Sequence, residues 1–131
     1  MRKNIEQFLS SAAFGVVGAS ANRAKFGNMV LRCYLQDSRV VYPVNPQLDE
    51  VEGITCLKSI NDLPDRVESI SVITPPSVTE QVVELAHTKG IKNIWMQPGA
   101  ESEVAVQKCM EYGINVIADG SCILVMLGFP H

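Results

Sequence analysis

Val16-Val17-Gly18-Ala19-Ser20 is the stretch that decides the fold of this 131-residue chain. An apolar run ends there at a glycine, small residues follow, and apolar residues at helical spacing begin within a few positions. A glycine just past a strand lets the backbone approach a ligand without an intervening side chain, and the first N–H groups of the next helix have no partners within that helix. The stretch therefore predicts a buried strand, a turn and a helix start that together bind an anion.

The alternation of strand and helix continues along the chain. Strands are predicted at Phe14–Gly18, Arg39–Val44, Ser69–Thr74, Ile91–Met96 and Asn115–Ala118, with a further short strand at Ile54–Leu57. Helices are predicted at Asn28–Leu35, Val78–Lys89 and Ser102–Tyr112, with a helical turn at Ser59–Leu63 and a final helix or strand at Cys122–Leu127. Residues 1–14 contain only a short apolar patch, and the first helix is predicted after Gly18.

Repeated strand–helix units with apolar strands favour a parallel sheet that is covered by helices on both faces. The predicted fold class is α/β: a single doubly wound, Rossmann-like domain over residues 1–131, with a mostly parallel sheet of five or six strands. Ligands of such folds lie outside the carboxyl ends of the strands. The candidate site residues are therefore those directly after each predicted strand.

Composition narrows the classes of ligand. Eleven Lys and Arg residues stand against fourteen Asp and Glu, with a net charge of −3 and no basic run, which argues against nucleic acid as a partner. The four cysteines lack CxxC spacing, so reduced thiols and a cytoplasmic location are expected. No apolar segment is long enough for a signal peptide or a membrane span, and no zinc or other metal site is predicted.

The first loop differs from the dinucleotide-binding fingerprint. The sequence after Gly18 lacks the GxGxxG spacing, and the turn is about four residues longer than a tight Rossmann turn. The second predicted strand is followed by Asn45, where an NAD-binding protein usually has Asp or Glu to hold the ribose 2′-hydroxyl. Both differences count against NAD as the ligand, although neither excludes it.

Five blocks of sequence carry a resemblance to a known family. They are Val17–Ser20, Lys25 with Gly27, Tyr42–Pro46, Thr74–Pro76 and Trp95–Ala100. In this order and at these strand ends, they resemble the successive signatures of the small CoA-binding domain proteins. Those proteins are similar to the N-terminal CoA-binding domain of the succinyl-CoA synthetase alpha subunit. The resemblance runs from about Ala13 to Asp119, which is nearly the whole chain.

The resemblance implies coenzyme A as the ligand and assigns parts of it to particular loops. In this family the first loop and the helix that follows hold the pyrophosphate, and the loops after the second and fourth strands border the adenosine. The implied ligand-binding residues are Gly18, Ala19, Ser20, Lys25, Phe26, Asn45, Pro46, Thr74, Pro75, Pro76 and Gln97. The synthetase pattern often has a lysine where this chain has Gln47, so Arg23 and Lys25 are the candidate cations for the phosphates.

The sequence contains no motif of a hydrolase, a metalloenzyme or a kinase, and no catalytic residue is predicted. The favoured function is a binding module for CoA or acyl-CoA that acts as a carrier, a sensor or a partner domain, with a protein partner or a second copy of the chain as candidate partners. The alternative is a small enzyme: an NAD-type oxidoreductase, or a protein with thiol-based acyl or redox chemistry at Cys122.

Overall fold

The structure is a computed structural model that describes residues 2–130. In chain order its elements are α1 (Arg2–Leu9), β1 (Ala13–Val17), α2 (Phe26–Gln36), β2 (Val41–Val44), β3 (Glu50–Val51), β4 (Ile54–Thr55), β5 (Val67–Val72), α3 (Pro76–Lys89), β6 (Asn93–Met96), α4 (Glu103–Glu111), β7 (Asn115–Ile117) and α5 (Ile123–Met126). A 3₁₀ turn at Ile60–Asp62 lies between β4 and β5. In this described range no helix is both long and apolar enough to cross a membrane.

Five of the strands form one sheet in the order β2-β1-β5-β6-β7, and every pairing in it is parallel. The predicted α/β class with a parallel sheet is confirmed, and the observed sheet has five strands. Strand β2 lies on one side of β1, and β5, which comes later in the chain, lies on the other side. The boundary between β1 and β5 is therefore the point where the strand order reverses, and ligands of doubly wound folds bind outside the carboxyl ends of the strands at such a point.

Each face of the sheet packs against its own set of helices. Buried side chains of α3 and α4, such as Val83 and Cys109, pack on one face. The other face packs against α1, α2 and α5, with Trp95 fully buried on that side. Burial on both faces explains why the strands read as continuous apolar runs.

Helix α1 was not predicted from the sequence. It is eight residues long, and only Ile5 and Phe8 of its side chains are buried. Phe8 lies against Phe14 and Trp95, with ring centroids 5.6 and 5.3 Å apart. Tertiary packing therefore stabilises a segment whose own helical pattern covers only two turns.

The short strand predicted at Ile54–Leu57 is present but shorter, at Ile54–Thr55, and it lies outside the main sheet. Its first two residues form β4, which pairs antiparallel with β3 in a separate hairpin, and only Leu57 bridges in parallel to Val44 at the edge of the main sheet. The two-residue turn of this hairpin, Glu52-Gly53, has φ values of +51° and +79°. Positive φ at both central residues is typical of a tight hairpin turn, which the sequence analysis did not recognise.

A buried hydrogen bond joins α2 to the centre of the sheet. The Tyr34 hydroxyl lies 2.7 Å from Ser71 Oγ, and both residues are fully buried. Burial raises the pKa of Tyr34 well above its usual range, so the hydroxyl stays protonated. Because water does not reach this pair, each hydroxyl depends on the other for a partner.

We expect Tyr34→Phe to lower the free energy of unfolding by about 1–2 kcal/mol in urea denaturation, because it leaves the buried Ser71 hydroxyl without its partner. Tyr42→Phe is the matched control, since the Tyr42 hydroxyl accepts a hydrogen bond from Arg66 at the exposed surface. The control is expected to change stability by no more than about 0.5 kcal/mol. Equal stability of the Tyr34 variant and the wild type would contradict the role of the buried bond.

Candidate functional site

A wide cavity lies outside the carboxyl ends of β1 and β2, next to the point where the strand order reverses. Its volume is about 690 Å³. The loop between β1 and α2 forms most of its wall, and the segment after β2 and the residue after β5 complete it. The lining residues are Gly18, Ala19, Ser20, Ala21, Asn22, Ala24, Lys25, Phe26, Gly27, Asn45, Leu48 and Ile73.

Two glycines bring the wall of this cavity together. Gly18 has a φ of +91°, which glycine adopts without steric cost. A Cβ on Gly18 would overlap the backbone carbonyl of Ile73, and a Cβ on Gly27 would overlap the carbonyl oxygen of Gly18. From the sequence, Gly18 was expected to leave room for a phosphate. That reason is corrected: the position of a side chain on Gly18 is filled by Ile73, the residue that follows β5, and both glycines are needed for close packing of β1, β5 and α2.

The loop between the two glycines is held by side-chain amides. Asn28, which is fully buried in α2, donates to the carbonyl oxygen of Ser20 at 3.0 Å. Asn45 donates to the carbonyl oxygen of Ala19 at 2.8 Å from the other side. A loop fixed in this way before a ligand arrives loses less conformational entropy on binding.

A second set of contacts ties the β3–β4 hairpin to the same loop. Glu52, at the tip of the hairpin, accepts a hydrogen bond from the Asn28 amide at 3.0 Å and lies 3.5 Å from Arg23 Nε. Arg32 donates to Asn28 Oδ1 at 2.7 Å and to the carbonyl oxygen of Arg23 at 3.0 Å. Through these bonds the hairpin, α2 and the loop form one braced unit.

The cavity is suited to an anion. The first turn of α2 contributes Phe26 and Gly27 to the lining, and a helix N-terminus carries partial positive charge. Lys25, the N-cap residue, gives this turn no side-chain hydrogen bond in the described part of the chain. Among residues 2–130, Lys25 also has no ion-pair partner, whereas Arg23 pairs with Glu52. Lys25 and the first turn of α2 therefore line the same cavity.

A smaller cavity of about 300 Å³ adjoins the first one. Phe26 and Ile73 line both cavities, and Gln97, Pro98, Cys122 and Val125 complete the second. Gln97 is nearly fully buried; its amide donates to Cys122 Sγ at 3.3 Å and accepts from the backbone N–H of Ile123 at 2.9 Å. Gln97 thus fixes the thiol of Cys122 at the wall of this cavity.

The predicted ligand-binding residues fall into three groups. Those that line the first cavity are Gly18, Ala19, Ser20, Lys25, Phe26 and Asn45, whereas Gln97 lines the second. In the described structure, the residues that line neither are Pro46, Thr74, Pro75 and Pro76. Thr74 bonds Thr79 at 2.7 Å, and the two prolines begin α3. Ligand contact by all three groups stays a prediction.

Sequence reasoning missed the residues that support the loop. A buried asparagine on the apolar face of α2 is a usable signal, because Asn28 has no reason to be there without polar partners. The contact of Glu52 with the loop could not be predicted from the sequence, since Glu52 lies far along the chain and reaches the loop only through the hairpin. Ile73 ends an apolar run before Pro75. It lines both cavities because β5 lies between β1 and β6 in the sheet, and this strand order could not be predicted from the local sequence.

Comparison with known proteins identifies the family of this chain. Residues 12–128 match the family described as CoA binding domain. An ADP-forming acetate–CoA ligase of Methanocaldococcus jannaschii is 32% identical over 89 residues, which are 68% of this chain and 13% of the ligase. The alpha subunit of ADP-forming acetate–CoA ligase II of Pyrococcus furiosus is 25% identical over 133 residues, 93% of this chain and 29% of that subunit. The chain thus spans less than a third of the length of these two curated relatives.

A solved structure agrees with the fold. A conserved hypothetical protein of Pyrococcus furiosus superposes with a TM-score of 0.83 and 41% identity, covering 87% of this chain and 97% of that one. The family match covers the β1–α2 loop, both cavities and all five strands of the main sheet. The resemblance noted in the sequence is confirmed, and the chain belongs to the CoA binding domain family.

Proposed function

We propose that this protein binds CoA or acyl-CoA in the first cavity, with the pyrophosphate against the first turn of α2 and the adenosine next to the segment after β2. The observation that carries the proposal is the cavity itself. It combines a helix N-terminus, the Lys25 ammonium and a braced loop at the strand-order reversal, which is where a doubly wound fold binds phosphate-bearing ligands. Membership of the family supports CoA as that ligand.

The proposed role is that of a carrier, a sensor or a partner module. The curated relatives include the alpha subunit of a larger ligase, which supports a protein partner that supplies catalytic groups. All four cysteines are free thiols in the structure, which supports a reducing compartment such as the cytoplasm.

A second candidate function is thiol chemistry at Cys122. It is supported by one observation: this half-buried cysteine lines the cavity that adjoins the proposed CoA site. The other three cysteines are buried and line neither cavity. Burial raises the pKa of Cys33 to about 11 and that of Cys109 to about 12, and it also raises the pKa of Cys56.

The ligand class is tested by calorimetry with CoA, dephospho-CoA, NAD and ATP. CoA is expected to bind at least tenfold more tightly than NAD, because Asn45, whose amide is already bonded to Ala19, offers the NAD ribose no carboxylate. Dephospho-CoA is expected to bind within about threefold of CoA, since the exposed Gln47 provides no cation for the 3′-phosphate. NAD binding tighter than CoA would overturn the assignment in favour of a nicotinamide-dependent protein.

The position of the phosphates is tested by Ala24→Glu. Ala24 is exposed and lines the first cavity, so the new carboxylate faces the ligand without entering the core. We expect the affinity for CoA to fall at least tenfold, because like charges repel in a partly enclosed site. Ala24→Gln is the matched control with the same size and no charge, and it is expected to retain most of the affinity. Equal loss in both variants would indicate a steric effect and no phosphate nearby.

The contribution of the ammonium is tested by Lys25→Ala. A partly solvated cation that contacts a phosphate contributes about 1 kcal/mol, so the dissociation constant for CoA is expected to rise about fivefold. The affinity of the variant is also expected to depend less on salt concentration. Lys92→Ala is the control, because Lys92 directly precedes β6, at the end of the strands opposite to the cavity, and pairs with Glu68. A wild-type salt dependence in Lys25→Ala would remove this lysine from the site.

A further inference from the structure

The order of the strands gives an order to the parts of a bound ligand. Asn45 follows β2, Gly18 follows β1, Ile73 follows β5 and Gln97 follows β6, and these strands are neighbours in the order β2-β1-β5-β6. If the adenosine lies near Asn45 and the pyrophosphate at α2, the rest of CoA continues over Ile73. The thiol end then arrives at the second cavity, beside Gln97.

The wall shared by the two cavities supports this path. Phe26 and Ile73 line both cavities, so the two cavities meet at these two residues. The second cavity is less than half the volume of the first and is more enclosed. A narrow, enclosed end is suited to the small terminal group of the ligand, whereas the wide cavity is suited to its nucleotide.

The chemistry of the second cavity selects against charge. Within the described residues, its lining has no charged side chain; Phe26, Ile73, Pro98 and Val125 supply most of its apolar surface. Its one amide, on Gln97, already bonds Cys122 and the backbone of Ile123. A carboxylate placed here would lose water without gaining a cation, whereas each methylene placed here would be removed from water.

We propose that the second cavity is an acyl site, which holds the thiol end of CoA and accepts a short uncharged acyl chain in preference to one that ends in a carboxylate. The proposal rests on the proposed function, because it takes CoA as the ligand. It adds the class of acyl group and the residues that select it. Acetyl, propionyl and butyryl groups belong to the accepted class, and succinyl belongs to the rejected one.

The selectivity is measured by calorimetry of the full chain with CoA, acetyl-CoA, butyryl-CoA and succinyl-CoA. Affinity is expected to rise from acetyl-CoA to butyryl-CoA by roughly two- to fourfold per methylene. Succinyl-CoA is expected to bind at least tenfold more weakly than butyryl-CoA. If CoA binds and the acyl forms bind equally, the acyl site is wrong while the proposed function stands. If CoA itself does not bind, both are wrong.

A charge variant tests which residues select the acyl group. Val125 is 67% exposed and stands at the open side of the second cavity, so Val125→Arg brings a cation to it without disturbing the core. The preference for butyryl-CoA over succinyl-CoA is expected to shrink at least fivefold. Val104→Arg makes the same change of charge at an exposed site on α4, outside both cavities, and is expected to leave that preference unchanged. The same shift in both variants would overturn the assignment.

The position of the thiol end is measured separately, with the disulfide of CoA as a probe. The thiolate of Cys122 attacks the disulfide, one mixed disulfide between Cys122 and CoA forms, and one CoA leaves as the thiolate, which takes up a proton. Mass spectrometry is expected to show one added CoA, at Cys122, which reductant removes and Cys122→Ser abolishes.

Glutathione disulfide is the matched reagent, because it offers the same bond without the nucleotide. Modification by CoA disulfide is expected to be at least tenfold faster at equal concentration, because binding in the first cavity holds the reactive bond next to Cys122. Equal rates for the two reagents, or modification of a different cysteine, would show that the thiol end lies elsewhere and would overturn the acyl site.

Discussion

The close approach of Gly18 to the backbone of Ile73, and of Gly27 to Gly18, is the constraint on which the rest of the site depends. At these contacts the end of β1, the end of β5 and the first turn of α2 meet without side chains between them. A larger residue at Gly18 would displace Ile73 at the end of β5, and one at Gly27 would push α2 away from the end of β1. In the first case the wall that Ile73 shares between the two cavities would move, and in the second the helix N-terminus would no longer face the cavity.

Most of the fold could be predicted from the sequence, because the strands are buried on both faces and residues that end a helix separate the helices from the strands. Gly90 and Gly113, for example, end α3 and α4 close to the predicted positions, and Ser102 caps α4 with its side chain. The failures have a different origin. Helix α1 depends on the burial of Phe8 among aromatic rings, and the β3–β4 hairpin depends on positive φ at Glu52. Neither tertiary packing nor a non-glycine residue in that conformation is visible in local periodicity.

The site was predicted less completely than the fold. Residues next to the first strand, such as Ser20 and Lys25, could be found because a short chain segment forms most of the cavity wall. The residues that brace the loop could not, since Asn28, Arg32 and Glu52 come from a helix interior and a distant hairpin. Gln97 was predicted as a ligand contact, and the structure gives it a further task, which is to hold Cys122 and Ile123 at the wall of the second cavity.

The positions between Gly18 and Gly27 differ in how freely they can be substituted. The two ends of this segment are fixed by backbone contacts, and its carbonyl groups at Ala19 and Ser20 are fixed by asparagine amides. Ala21 and Ala24, in contrast, are exposed and line the cavity. Substitutions there alter what the ligand meets and leave the packing of β1, β5 and α2 intact. Selection can therefore retune the ligand preference of this fold through a few loop positions, at little cost in stability.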